Sequence, residues 1–169
     1  PIAAIYSGPS QCAVQTAQAI AKELGLKVKQ LDNLENLDHG LWQGLLIDEV
    51  KQKQPRVYRQ WQEQPESVCP PDGETIDHAR GRVEAALAKV LKKHKDGVIG
   101  LVVPEPLASV VREHLGQGDL GDLWQANCEH GRWGLITVKL AGGRPVPKVV
   151  PSPAHKALNG SPVVPTAVA

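Results

Sequence analysis

With 169 residues, 41% of them hydrophobic, and a formal net charge of +1, the chain has the size of one domain with a sound core. The near-neutral charge gives no reason to expect nucleic acid or an anionic membrane as a partner, and no apolar stretch approaches the length of a membrane span or resembles a signal peptide. Three widely spaced cysteines, Cys12, Cys69 and Cys128, suit a reducing compartment better than a disulfide framework, so we expect a cytoplasmic protein.

Apolar periodicity predicts an alternation of strands and helices, which is typical of a layered α/β fold. Strands are predicted over residues 2–6, 26–31, 98–103 and 133–140, with a short edge strand over 145–150. Helices are predicted from the N-cap Ser10 to Gly25, over 45–64 with a break at Pro55, over 74–93, and over 107–115 with Pro106 as a suitable first helical residue. The long helix over 74–93 is expected to have one apolar face, which consists of Ile76, Ala79, Val83, Ala86, Leu87, Val90 and Leu91. The first helix is expected to bury Ala13, Ala17, Ile20, Ala21 and Leu24. Residues 1–150 thus form one domain, and 151–169 form a tail or linker rich in Pro, Ala and Val.

Four short motifs carry the functional signal. Residues 8–17 read Gly-Pro-Ser-Gln-Cys-Ala-Val-Gln-Thr-Ala, and residues 34–44 read Leu-Glu-Asn-Leu-Asp-His-Gly-Leu-Trp-Gln-Gly. Residues 70–75 read Pro-Pro-Asp-Gly-Glu-Thr, and residues 102–106 read Val-Val-Pro-Glu-Pro. In content and order these passages resemble the motifs of the histidine phosphatase (phosphoglycerate-mutase-like) family. The resemblance implies a phosphoglycerate-mutase-like three-layer α/β sandwich whose sheet lacks or replaces its opening central strand.

The same resemblance places changed residues in the family's pocket. Cys12 stands where the family has a phosphate-binding arginine, Asn36 where many members have a carboxylate proton donor, and Glu105 where they have a second histidine. The family's opening strand, with its Arg-His-Gly nucleophile motif, has no match here, and we interpret the similar Cys-Glu-His-Gly at 128–131 as a coincidence. Together with Ser7, the three changed residues define what we call the vestigial pocket (Ser7, Cys12, Asn36 and Glu105).

The vestigial pocket is expected to contain no catalytic residue and to bind no phosphate. Phosphoryl transfer through a phosphohistidine needs a nucleophilic imidazole, a cationic cradle and a proton donor. A carboxylate ~4 Å from a phosphate dianion costs roughly 4 kcal/mol at an effective dielectric constant near ~20, so Glu105 would repel such a ligand. The six histidines show no metal-ligand spacing, and we expect neither a metal nor a cofactor.

Other conspicuous residues have ordinary structural interpretations. We expect Cys12 to fill the space of an arginine as a small residue, and Glu105 to be a carboxylate at a helix N-terminus. Arg80 and Arg82 are interpreted as solvated charges, and Glu74 as part of a turn and helix cap. The tryptophans are scattered in the sequence and are interpreted as core and edge packing; they are Trp42, Trp61, Trp124 and Trp133.

Two functions remain open. The first is a catalytically inactive histidine-phosphatase-like pseudoenzyme that serves as a protein-binding or structural subunit. The second is a phosphatase or phosphoglycerate mutase whose nucleophile segment is supplied by another chain or by a preceding N-terminal part. The first is favoured because it accounts for Cys12, Asn36 and Glu105 together. A repurposed thiol site using Cys12 and Glu105 is a more distant third interpretation.

The resemblance also predicts a gap in the sheet. In the family, the opening strand lies between the strands that match residues 98–103 and 133–140. Without it, unpaired backbone groups would stand in an apolar layer at a cost of about 1–3 kcal/mol each. Three arrangements could fill the gap: strand 133–140 could slide over to pair with strand 98–103, a second copy or another protein could donate a strand, or the tail over 151–169 could enter. The four prolines of the tail argue against the last arrangement, because each removes a backbone hydrogen-bond donor. We expect a protein partner or a homo-oligomer to complete the sheet.

Overall fold

The computed structural model of the chain describes residues 1–116, 118–126, 133–141 and 144–146. The elements, in chain order, are β1 (Ile2–Ser7), α1 (Gln11–Leu24), β2 (Val28–Gln30), α2 (Ile47–Lys53), α3 (Pro55–Glu63), α4 (Ile76–Lys93), β3 (Val98–Val102), α5 (Leu107–His114), β4 (Lys139–Ala141) and β5 (Arg144–Val146). Short 3-10 turns cover Asp32–Leu34, Gly40–Trp42, Pro65–Ser67 and Leu123–Ala126. The predicted tail over 151–169 and Cys128 lie outside the described residues.

The centre of the fold is a parallel sheet of three strands in the order β2-β1-β3. Ile5 of β1 pairs with Val28 of β2 on one side and with Gly100 of β3 on the other. Helix α1 covers one face, where Ala17 and Ala21 pack against Ile5. Strands β1 and β3 are largely apolar because helices cover both faces of the sheet around them, whereas the edge strand β2 reads Val-Lys-Gln and is mostly exposed.

Helix α4 supplies the opposite layer. Its Val90 packs against Ala4 and Tyr6 of β1. The larger core cluster lies between α4, α5 and the loops that precede them, and it includes Val83 of α4 and Val110 of α5. The predicted apolar face of the long helix is confirmed, and its fully buried members are Ile76, Ala79, Val83, Ala86, Leu87 and Val90.

The first helix is confirmed with a narrower buried face than predicted. It ends at Gly25, whose φ of 65° lies in the left-handed region that glycine adopts at little cost. Its buried residues are Ala13, Ala17 and Ala21. Ile20 and Leu24, which we expected in the core, are 41% and 48% exposed. The side chains of the three alanines are small, so this i, i+4, i+8 row lies close to the sheet. Side chains beside the row, such as those of Ile20 and Leu24, remain partly exposed.

Helix boundaries follow proline and the caps. Pro55 divides the predicted 45–64 helix, because a proline without an N–H is tolerated at the first helical position of α3. Helix α4 begins at Ile76, two residues later than predicted, and its N-cap is Thr75, whose Oγ1 accepts a hydrogen bond of 3.2 Å from the backbone N–H of His78. Pro106 is the N-cap of α5, where we expected it to be the first helical residue.

The segment after α5 departs from the prediction. Strand β4 covers only Lys139–Ala141 and pairs antiparallel with β5 in a separate sheet of two strands. Residues 133–138 are not in a strand, and Trp133 and Leu135 are 90% and 72% exposed. Alternating apolar residues form a strand only where a neighbour satisfies the backbone groups, and the described residues offer this stretch no such neighbour. The slide of this strand onto β3 is therefore not found in the described residues, where β3 pairs with β1 alone.

Three tryptophans that are distant in the sequence meet in space. The ring centroids of Trp42 and Trp61 are 5.6 Å apart, and Trp124 lies 5.6 Å from Trp42 and stacks on Tyr58 at 5.3 Å. Trp61 and Trp42 are only 1% and 6% exposed, so the core-packing interpretation is confirmed for them. Among the described helices, none has the length and apolar character needed to cross a membrane.

Candidate functional site

The vestigial pocket begins at the carboxyl ends of β1 and β3, where ligand sites of parallel sheets usually lie. Ser7 ends β1 and pairs with Val102 at the end of β3. The backbone N–H of Gly8 donates to the carbonyl oxygen of Val102 at 2.9 Å, which holds the two strand ends together. Ser7 is fully buried, and its Oγ has no hydrogen-bond partner among the described residues.

Asn36 ties a loop to the turn between β3 and α5. Its Nδ2 donates to the backbone carbonyl oxygen of Glu105 at 3.0 Å, and its Oδ1 accepts from the backbone N–H of Leu107 at 3.3 Å. Both ends of the amide are therefore engaged in holding the backbone. In this arrangement Asn36 supports the turn and has no acidic proton to give to a leaving group.

Glu105 is held by the first two turns of α5. Its Oε1 accepts a hydrogen bond of 2.7 Å from Nη1 of Arg112, and its Oε2 accepts one of 3.2 Å from Oγ of Ser109. Arg112 also donates from Nη2 to Oγ of Ser109 at 2.8 Å, which closes a three-residue network. The Glu105 side chain is 18% exposed. The expected position beside a helix N-terminus is correct, but the expected repulsion of an anion is offset, because Arg112 neutralises the carboxylate.

Cys12 is the exposed member of the vestigial pocket residues. It is exposed on the first turn of α1, and its Sγ lies 3.5 Å from Oγ of Ser10. We expected the thiol to fill the space of an arginine, but it faces solvent. The structure brings Asn36 and Glu105 into contact, with Ser7 at the adjoining strand end, whereas Cys12 contributes no cationic group to this region.

Two of the sequence motifs interlock beside the pocket. The backbone N–H of Leu41 donates to the carbonyl oxygen of Pro71 at 2.9 Å, and that of Glu74 donates to the carbonyl oxygen of Asp38 at 3.0 Å. Gly40 has a φ of 50°, and it lies so close to the backbone of Pro71 that a Cβ at this position would overlap with the carbonyl oxygen of Pro71. This close approach explains why the second motif needs glycine at this position.

Arg82 is the main residue that the sequence interpretation missed. Its side chain is only 16% exposed, so it is not a solvated charge. It pairs with the carboxylate of Glu74 and donates to three backbone carbonyl oxygens of the loop before the pocket, which belong to Asn33, Glu35 and Asn36. Arg80 is likewise paired, with Glu113 of α5 at 2.7 Å. Arg82 therefore clamps the loop that carries Asn36.

The carboxylate of Glu74 accepts hydrogen bonds from Arg82 and from the backbone N–H of Asp38. Glu74 therefore connects Arg82 to the loop of the second motif, in addition to the turn and cap role that we expected. Burial alone would raise the pKa of Glu74, but hydrogen bonds from Arg82, from His78 and from the backbone N–H of Asp38 outweigh it and hold the pKa below its ordinary value. Nearby, burial lowers the pKa of His39, against the opposing influence of Asp38 and Glu74. Within the described part of the chain, no three His, Cys, Asp or Glu side chains are grouped to hold a metal.

Comparison with known sequences places these features in a family context. Residues 1–150 match the profile described as Histidine phosphatase superfamily (branch 1). The chain is 32% identical over 133 residues to Phosphoserine phosphatase 1 of Hydrogenobacter thermophilus, a match that covers 78% of this chain and 63% of that protein. It is 34% identical over 119 residues to Bifunctional protein Rv2228c of Mycobacterium tuberculosis, covering 69% of this chain and 32% of that one. The chain thus spans less than two thirds of either relative.

Solved structures support the fold. Bacillus stearothermophilus YhfR is similar with a TM-score of 0.69 and 21% identity, over 88% of this chain and 73% of that one. Mycobacterial glucosyl-3-phosphoglycerate phosphatase Rv2419c is similar with a TM-score of 0.63 and 21% identity, over 73% of this chain and 61% of that one. The predicted phosphoglycerate-mutase-like α/β fold is confirmed, with three parallel strands in the described sheet.

Proposed function

Because this chain belongs to branch 1 of the histidine phosphatase superfamily, we propose that it is a member without phosphatase activity of its own, which serves as a protein-binding or structural subunit. The observation that carries this proposal is the environment of Glu105. At the position where the resemblance puts a histidine, both carboxylate oxygens are hydrogen-bonded to α5. The side chain acts as a structural link between the β3–α5 turn and the helix.

The chemistry of the remaining positions supports the same proposal. Phosphoryl transfer needs cationic groups around the phosphoryl oxygens and a proton donor for the leaving oxygen. Cys12 brings a neutral, exposed side chain to the position of the arginine. Asn36 brings an amide whose nitrogen and oxygen are already hydrogen-bonded to the backbone of Glu105 and Leu107. All three positions lie inside the sequence, so the proposal does not depend on where the chain begins.

The alternative is a phosphatase or phosphoglycerate mutase completed by a nucleophile segment from another chain or from a preceding N-terminal part. The observation that favours it is the named activity of the relatives, together with the 37% of Phosphoserine phosphatase 1 that the match leaves uncovered (100% less 63%). We place it second because a donated nucleophile would not restore the arginine, the carboxylate and the second histidine, whose positions Cys12, Asn36 and Glu105 occupy.

The outer edge of β3 is the surface that we propose for the partner. In the described residues this strand pairs with β1 alone, and its sequence Val-Ile-Gly-Leu-Val has no charge or proline to discourage pairing. Four of its five residues are half-buried, which is typical of a strand that continues an apolar layer. A strand from a protein partner or from a second copy would satisfy the free backbone groups of this edge.

A turnover assay tests the proposal. The purified chain and any complex isolated with it are tested with p-nitrophenyl phosphate, phosphoserine and phosphoglycerates, with Phosphoserine phosphatase 1 as the positive control. We expect no turnover above buffer from the chain alone or from its complex. Turnover by the chain alone that disappears in Glu105→Gln would overturn the proposal, and turnover by the complex alone would favour the donated-nucleophile alternative.

A further inference from the structure

The stretch over residues 133–138 has the composition of an inner strand but lies outside the sheet. It reads Trp-Gly-Leu-Ile-Thr-Val, with no charge and no proline. Apolar side chains occur at both odd and even positions, which is typical of a strand that is covered on both faces. In the structure this stretch is not in a strand, and the side chains of Trp133 and Leu135 are 90% and 72% exposed. Among the described residues, no strand pairs with it.

The outer edge of β3 lacks what this stretch could supply. Within the described residues β3 pairs with β1 alone, and the backbone groups of Ile99 and Leu101 point away from β1. The side chains of Ile99 and Leu101 pack against the cluster that contains Val90 of α4, whereas Val102 packs against the cluster that contains Ala17 of α1. A strand added at this edge therefore extends an apolar layer on each face. It needs apolar residues at both odd and even positions, as the stretch over 133–138 has.

We propose that two copies of the chain exchange these elements, so that residues 133–138 of each copy add a strand to β3 of the other. This inference rests on the proposed function, because it names the partner of the β3 edge. One chain carries both an apolar strand without a neighbour and an edge that fits it, which favours a second copy over an unrelated protein. A reciprocal exchange has two-fold symmetry, so the assembly closes at a dimer.

The exchange buries side chains that the single chain exposes. Trp133 and Leu135 are two positions apart, so in a strand they point to the same face of the sheet, and Ile136 and Val138 point to the other. Each added strand satisfies the outward N–H and C=O groups of β3 through backbone hydrogen bonds. Neither β3 nor the stretch over 133–138 carries a charge that would oppose the pairing. Removal of Trp133 and Leu135 from water provides the driving force.

Analytical ultracentrifugation of the whole chain tests the exchange. We expect a monomer–dimer equilibrium that Leu135→Lys weakens by about tenfold or more, because the exchange would bury the new charge beside β3. Leu135 is exposed in the single chain, so this variant should keep the fold, which circular dichroism verifies. Trp133→Lys is a second variant with the same expected effect. The matched control is Leu41→Lys, which changes a leucine that is 65% exposed outside the stretch and should leave the dimer Kd within about twofold.

Two further measurements locate the interface. Dimer formation should protect the backbone amides of Ile99 and Leu101 from hydrogen exchange, because these amides face the added strand. It should also shield Trp133 from quenching by acrylamide, which is measured as the signal that Trp133→Phe removes. Leu135→Lys should abolish both changes at concentrations where the unchanged chain is a dimer.

Several outcomes would overturn the exchange. They are a chain that stays monomeric up to about 1 mM, a dimer that Leu41→Lys weakens as much as Leu135→Lys does, and a dimer that leaves Ile99 and Leu101 unprotected. A monomer in which these two amides are already protected would also overturn it, because the same chain would then cover the edge. The turnover assay tests the proposed inactivity separately: turnover by an intact exchanged dimer would overturn the proposed function and leave the exchange standing.

Discussion

The carboxylate of Glu105, in the turn that joins β3 to α5, lies 2.7 Å from the guanidinium of Arg112, on the second turn of α5. This ion pair converts the position of a family histidine into a structural link. It also means that Arg112, which lies beside the pocket residues, is already paired. We propose that this chain is an inactive family member chiefly because of this ion pair.

The first prediction concerns the contribution of this pair to stability. Arg112→Ala should lower the free energy of unfolding by about 1 kcal/mol, because Arg112 is 42% exposed and solvent screens much of the attraction. Urea denaturation measures the change. Arg56→Ala on the exposed side of α3 is the control and should change stability by less than about 0.5 kcal/mol. An effect of Arg112→Ala equal to that of the control would show that Glu105 does not need its partner.

Arg82 should be far more important for stability. Arg82→Ala removes a half-buried guanidinium from Glu74 and from three backbone carbonyl oxygens, so we expect a loss of about 3 kcal/mol in the free energy of unfolding. Arg82→Lys should recover only part of the loss, because one ammonium cannot reach both the carboxylate and the loop. Thermal and urea denaturation measure both variants, with Arg59→Ala as the control. A loss of stability no larger than that of Arg59→Ala would show that Arg82 does not hold the loop that carries Asn36.

Acid should destabilise the fold through His39 and Glu74. Both have a pKa below the ordinary values, which are 6.5 for His39 and 4.5 for Glu74. Each group therefore binds fewer protons in the folded state than in the unfolded state between its two pKa values. The stabilisation is fully present above the ordinary pKa and is lost as the pH falls through the lower, folded pKa.

Denaturation at a series of pH values tests this prediction. The free energy of unfolding should decrease from about pH 7 downward, first through His39 and then through Glu74. His39→Gln should remove the upper part of the decrease, and Glu74→Gln should remove the lower part while also lowering stability at neutral pH. A free energy that stays constant or rises on acidification would contradict the assignment.

Hydrogen exchange tests the proposed partner edge of β3. The carbonyl oxygen of Val102 accepts from Gly8 of the neighbouring strand end, so the backbone groups of Val102 and Gly100 face β1. Those of Ile99 and Leu101 face the other side, because successive residues of a strand alternate. We expect the amides of Ile99 and Leu101 to gain protection selectively when a partner or second copy binds.

The monomer is the control for that experiment. Analytical ultracentrifugation identifies conditions in which the chain is monomeric, and there Ile99 and Leu101 should exchange faster than Gly100 and Val102. If all four amides are equally protected in the monomer, another part of the same chain covers the edge and the partner proposal fails.

Local patterns in the sequence were sufficient for the order of elements but not for the pocket. Pro55 and Gly25 mark helix boundaries through their own backbone chemistry, so they can be identified without a structure. The role of Arg82 could not be inferred, because its carbonyl acceptors lie more than 45 residues earlier in the chain. Glu105 was placed correctly beside a helix, but its pairing with Arg112 depends on the conformation of the turn that contains Glu105.

The most direct test of the central claim is a crystal structure of the chain determined with vanadate, which mimics a phosphoryl group in transfer. We expect that no vanadate is held between Ser7, Cys12, Asn36 and Glu105, and that Glu105 keeps both of its partners on α5. An ordered vanadate bound there by side chains of this chain, with Glu105 released from Arg112, would contradict the account.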